Sequence, residues 1–157
     1  MTLVAEYNDA RRAEGIARVR RVIVLRAMNV LGLSQREIAA SLGITQPAVS
    51  QQVAASTNFG NLSAAELLEA AAPILRFVAE KYRYTELAVF GSVARGDSRA
   101  ESDIGLIVQP PPGTSSFDFV EFKQLVEKVL GREIDLISYG GLDPVLDADI
   151  PHDKRLL

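Results

Sequence analysis

The feature that most constrains this fold is a change of hydrophobic period near Glu86. Before it, apolar residues recur every three or four positions, the repeat that gathers them on one face of a helix. After it they form short runs, Leu87–Phe90, Asp103–Val108 and Glu133–Ser138, set between turn residues. Runs of that length read as strands, and the amphipathic stretch Ser116–Leu130, stopped by Gly131, reads as a helix between the last two. The pattern predicts an α+β chain: an all-α N-terminal part, followed by a small mixed sheet with its helices. At 157 residues the chain suits one ordinary domain or two small ones.

The first predicted helix runs from Glu6 to Leu31, with Ile16, Val19, Val22, Ile23, Ala27 and Val30 on one face and Gly32 as its stop. Ser34 with Glu37 is a capping box opening a second helix, which Gly43 breaks. Thr45 caps a third, running toward Ala55 with Pro47 tolerated in its first turn. Ile38, Leu42, Ile44 and Val49 are expected to form the small core between the second and third helices, with the small Ala39 at their crossing. The polar residues 56–61 are taken as the boundary between a part spanning 1–60 and a part spanning 61–157. Ser63 with Glu66 then caps a long helix to about Tyr82, with Leu67, Leu68, Ala71, Leu75, Val78 and Ala79 facing inward. Pro73 kinks that helix or shifts its start. Pro144–Asp149 is expected as a short helix, and the tail beyond it as irregular.

The stretch Leu33–Val53 has the spacing of a helix-turn-helix, with Gly43 supplying the positive φ of the turn. Gln46, Ser50 and Gln51 would project from the start of the recognition helix toward base edges in the major groove, beside Thr45, while Arg36 and the upstream arginines could hold the DNA backbone. Taken blandly, the same spacing is a three-helix bundle. This first third resembles helix-turn-helix regulators of the phage-repressor type. One such module binds weakly, so a homodimer or higher oligomer reading double-stranded operator DNA is expected. Charge agrees in sign. Residues 1–60 hold seven arginines against four acids, whereas residues 61–157 carry the acidic surplus that brings the chain to a net charge of −3.

In the second part, Val89-Phe90-Gly91-Ser92 turns a strand into a helix start, where backbone N–H groups and the Ser92 hydroxyl can cradle a phosphate, with Arg95 close by. Strand alternation puts residues 103, 105 and 107 on one face. Carboxylates at 103 and 105, with a third from a neighbouring strand, would make a two-metal phosphoryl-transfer site, and Asp135 is placed for that third role. Singly, each residue is more simply a turn, a strand-end cap or an edge-strand acid. Their order along the chain is what points to function.

Residues 62–157 resemble the minimal nucleotidyltransferases of the DNA polymerase β superfamily, through Gly91, Ser92, Ala94, Arg95, Gly96, Ser102, Asp103, Leu106 and Asp135. The resemblance implies nucleotide contact by Gly91 and Ser92, and Mg²⁺ held by Asp103 and Asp135, which serve as the catalytic pair. It also implies ATP or another nucleoside triphosphate as the nucleotide, transfer of a nucleotide, often AMP, to a hydroxyl, and a helical HEPN-type toxin as partner of an antitoxin. The pattern wants aspartate where this chain has Gly105. Losing a metal ligand costs several kcal/mol of transition-state stabilisation, roughly a thousandfold in rate. Glu101 and Asp97 lie on a loop, and neither is an assured substitute. Two expectations stand side by side. One is a DNA-binding regulator or antitoxin with weakened or lost transfer. The other is an active Mg²⁺-dependent adenylyltransferase using Asp103 and Asp135. His152, the only histidine, has no acid–nucleophile pattern around it. The absence of cysteine, of a signal peptide and of a membrane-length apolar run fits a cytoplasmic chain that does not enter a membrane.

Overall fold

The computed structural model describes residues 1–55, 62–97 and 103–157. The boundary assigned to residues 56–61 and the motif residues Glu101 and Ser102 lie outside the described residues. Four helices come first: α1 Leu3–Val30, α2 Gln35–Leu42, α3 Gln46–Ala55 and α4 Ala64–Lys81. β1 Thr85–Phe90, the short α5 Ser92–Arg95, β2 Ile104–Gln109, α6 Ser116–Leu130 and β3 Ile134–Ser138 follow, and α7 Ile150–Asp153 and β4 Arg155–Leu156 end the chain. The strands form one mixed sheet in the order β3-β2-β1-β4. β2 runs parallel to β3, and β1 runs antiparallel to both β2 and β4.

Local chemistry sets most element ends. The Ser34–Glu37 and Ser63–Glu66 capping boxes form as the sequence predicts, and Ser115 with Asp118 makes a third at the start of α6. Gly43 and Gly131 end α2 and α6 in the left-handed region. α4 and α6 cover one face of the sheet, and α1 packs across both. A single apolar cluster joins Val19, Ile23 and Ala27 of α1 to Leu67, Leu75 and Val78 of α4, to Phe122 and Val126 of α6, and to strand residues such as Val89 and Leu106. The opposite sheet face, which carries Phe90, Gly105 and Asp135, is free of these helices.

Three expectations change. Leu42 and Ile44 do not line the α2–α3 core, being 46% and 36% exposed. That core consists of Ile38, Ala39 and Val49 with Leu25 of α1, so the helices meet α1 at the middle of α2, a turn before Leu42. Residues 144–149 are turns rather than a helix, and the helix begins at Ile150. Asp143 caps a single turn here, closed by Asp147 N–H donating to the Asp143 carbonyl at 2.9 Å and not continued as a helix. Its carboxylate accepts the backbone N–H groups of Val145 and Leu146, and these bonds hold its carboxyl below the usual range. Finally, the tail is ordered: Arg155 and Leu156 pair with Val89 and Ala88 as β4.

Candidate functional site

Gly91 makes the turn after β1 with φ 79° and ψ −147°, a conformation essentially restricted to glycine. It starts α5, whose single turn is closed by Arg95 N–H donating to the Gly91 carbonyl at 3.0 Å. Gly96, again left-handed, ends it. Ser92 is half-buried at this turn. Arg95 does not stand free. It faces Asp97 at 3.7 Å and Asp153 at 3.6 Å, pairs exposed enough that solvent screens them strongly. Asp153 is a site neighbour that sequence reasoning missed, because only the ordered tail brings it there.

Asp103 is exposed immediately before β2, two positions from Gly105, so alternation places both on the same side. Gly105 pairs in register with Asp135 on β3 and with Phe90 on β1. Asp135 is exposed, while Ile134 and Leu136 on either side of it are buried against the helices. Asp103, Gly105, Asp135 and Phe90 therefore share one sheet face, as the sequence predicts for the first three. Phe90 is the surprise. A Cβ built on Gly105 would lie 2.7 Å from two atoms of its ring. The ring occupies the space where a side chain at 105 would begin.

A family profile described as a nucleotidyltransferase domain matches residues 72–156, a span that includes every one of these residues. The chain belongs to that family. Among its curated relatives is "Putative protein adenylyltransferase MJ0435" of Methanocaldococcus jannaschii, 36% identical over 66 residues, which cover 42% of this chain and 71% of the relative. "Protein adenylyltransferase MntA" of Thermococcus cleftensis is 32% identical over 63 residues, 40% of this chain and 64% of the relative. A solved structure, "Structure of putative minimal nucleotidyltransferase", aligns with a TM-score of 0.53 at 31% identity, covering 59% of this chain and 95% of the other. These matches support nucleotidyltransferase-type chemistry, for which the family generally uses a nucleoside triphosphate and a divalent metal.

Among the described residues, this nucleotidyltransferase domain does not offer the carboxylates for a pair of cations sharing a bridging ligand. Among the described residues, no three acidic or histidine side chains come together in a metal-holding group. Asp103 and Asp135 supply two carboxylates, but the position between them supplies no ligand atom and is covered by an aromatic ring. Magnesium demands near-octahedral oxygen ligation, which a ring cannot contribute.

In the helical part, Thr45 acts as a cap: its hydroxyl accepts the Ala48 N–H at 3.2 Å. Arg36, Gln46, Ser50 and Gln51 are exposed, and α2 and α3 are joined by the short turn Gly43–Thr45. Among the described residues no helix is long and apolar enough to cross a membrane.

Proposed function

We propose that this chain is a cytoplasmic DNA-binding regulator of the antitoxin kind, whose nucleotidyltransferase domain has weakened or lost transfer activity. α2 and α3 act as the helix-turn-helix. Gln46, Ser50 and Gln51 read base edges, Thr45 sets the start of the reading helix, and Arg36 holds phosphate. The chain works as a homodimer or higher oligomer on an operator, since paired half-sites raise affinity and specificity together. The nucleotidyltransferase domain serves partner binding, with a helical HEPN-type toxin as the partner neutralised. The observation that carries this reading is Gly105, a position without a ligand atom between Asp103 and Asp135.

The test is transfer of label from ATP, with Mg²⁺, to a toxin-like protein encoded beside this one. Little or no label is expected. Strong label that disappears in Asp135→Ala would overturn the reading. In parallel, selection from random duplexes should return a defined operator, bound with steep salt dependence. Gln46→Ala with Ser50→Ala should relax that preference, and unchanged specificity would remove these residues from the readout.

A second reading is an active Mg²⁺-dependent adenylyltransferase using Asp103 and Asp135, with Gly91, Ser92 and Arg95 at the ATP phosphates. It is favoured by the relative from Thermococcus cleftensis named as a protein adenylyltransferase. The same labelling experiment decides between the two.

A further inference from the structure

We propose that Arg11, Arg18 and Arg21 of α1 form a second contact with the DNA phosphate backbone, beside the one made by α2 and α3. This rests on the reading of α2 and α3 as a helix-turn-helix, and it selects which arginines extend their hold. The first helix carries six arginines, and their surroundings divide them into two groups. Three are engaged within the fold. Arg12 reaches the Glu69 carboxylate at 2.6 Å. Arg20 donates to the Ala70 and Glu69 carbonyls at 2.9 and 3.1 Å. Arg26 is partly buried, with its guanidinium against Gly131. Arg11, Arg18 and Arg21 are exposed, and among the described residues no ion pair holds them.

Helical phase gathers these three on one side. Leu25 is the α1 residue in the core of α2 and α3. At about 100° per residue, Arg11, Arg18 and Arg21 all lie within about 40° of the direction of Leu25, whereas Arg12, Arg20 and Arg26 lie about 100–140° from it. Glu6 and Asp9 fall about 100° and 160° away, so most of the acid of this segment is turned elsewhere. The face that seats α2 and α3 therefore continues as a row of exposed guanidinium groups, ending about 21 Å along the axis at Arg11. α3 packs directly on α1. A helix reading a major groove about 8.5 Å deep brings the flanking phosphates down toward the layer beneath it. Guanidinium groups match phosphate oxygens in charge and in fork geometry. Such contacts add affinity and carry no base preference. Glu14 lies in the same sector and opposes them.

The experiment uses the full chain and a labelled mixed-sequence duplex of about 30 base pairs, followed by fluorescence anisotropy across about 50–200 mM salt. The triple variant Arg11→Gln/Arg18→Gln/Arg21→Gln should melt with the parent, because its changes are all on the surface. It should bind at least about tenfold more weakly at the lowest salt, and its log–log salt slope should be shallower by about 2–3, at about 0.9 per lost phosphate contact. Arg12→Gln removes the same charge from the same helix and should leave the slope alone, while Arg18→Gln should not. Glu14→Gln should tighten binding. An unchanged slope in the triple variant would overturn the proposal. So would an equal loss from Arg12→Gln and Arg18→Gln, since net charge would then account for it. Selection from random duplexes separates this row from the reading of α2 and α3. A defined operator bound with an unchanged slope by the triple variant would sink the row and leave that reading standing. A flattened slope with no sequence preference in the parent would do the reverse, and a parent that binds no duplex would overturn both.

Discussion

Tyr84 is buried with its ring stacked on Phe122, centroids 3.8 Å apart and planes within 7°. Burial pushes its phenol pKa up, a hydrogen bond with Thr114 pulls it partly back, and the Asp118 charge adds to the rise. The folded chain thus holds this proton above the ordinary value of about 10. The stability it contributes is complete below that pH and is lost as pH rises through the folded value. In an ultraviolet titration, one of the four tyrosines should ionise last. Tyr84→Phe should remove that late step and flatten the alkaline fall in melting temperature. Gly91 makes a different demand, on the backbone alone. Among the described residues no atoms crowd the place of its side chain, and its φ of 79° strains any other residue, so Gly91→Ala should fail through backbone conformation. A loss of about 1–3 kcal/mol in urea unfolding is expected. Gly91 was legible because Gly-Ser after an apolar run is a local signal. The Phe90–Gly105 contact was not, because it depends on which residues the β1–β2 register brings face to face.

At the scale of elements, α4 shows how a sequence irregularity is absorbed. Pro73 sits inside the helix and has no N–H to give the carbonyl of Glu69 one turn back. The helix nevertheless runs unbroken to Lys81. Arg20 of α1 fills the gap, donating from Nη2 to the Glu69 carbonyl at 3.1 Å and from Nε to the Ala70 carbonyl at 2.9 Å. Arg12 reaches the Glu69 carboxylate at 2.6 Å. Arg20→Met should cost about 2 kcal/mol, since a charged donor is lost from carbonyls left short of partners. In a Pro73→Ala background the cost should shrink, and a double-mutant cycle of melting curves measures the difference. The caps and the α4 inner face could be read from local spacing. The repair of Pro73 could not, because its donor lies on another helix. The same cause misplaced Leu42 and Ile44: the sequence shows that α2 and α3 are apolar, but not that α1 provides the surface they meet. β4, two residues long, is too short to carry any period at all.

Over the whole molecule, α1 faces two ways. Val19, Ile23 and Ala27 complete the core over the sheet, while Leu25 completes the core of α2 and α3. Arg26 lies with its guanidinium against Gly131, where α6 ends, and burial lowers its pKa. The fragment 62–157 should therefore expose the outer faces of α4 and α6, bind a hydrophobic dye and lose its sharp melting transition. The full chain should melt as one unit in calorimetry. The two-sided helix also decides where this protein can be cut and rejoined. A junction between α3 and α4 would leave α4 and α6 without the α1 layer across them, and one inside α1 would turn Leu25 away from its partners, since each inserted residue rotates the rest by about 100°. The exchangeable cassette is α2 with α3 alone. Its seam falls at Gly32–Ser34, so a graft made there would swap α2 and α3 while α1 keeps its place over α4 and α6.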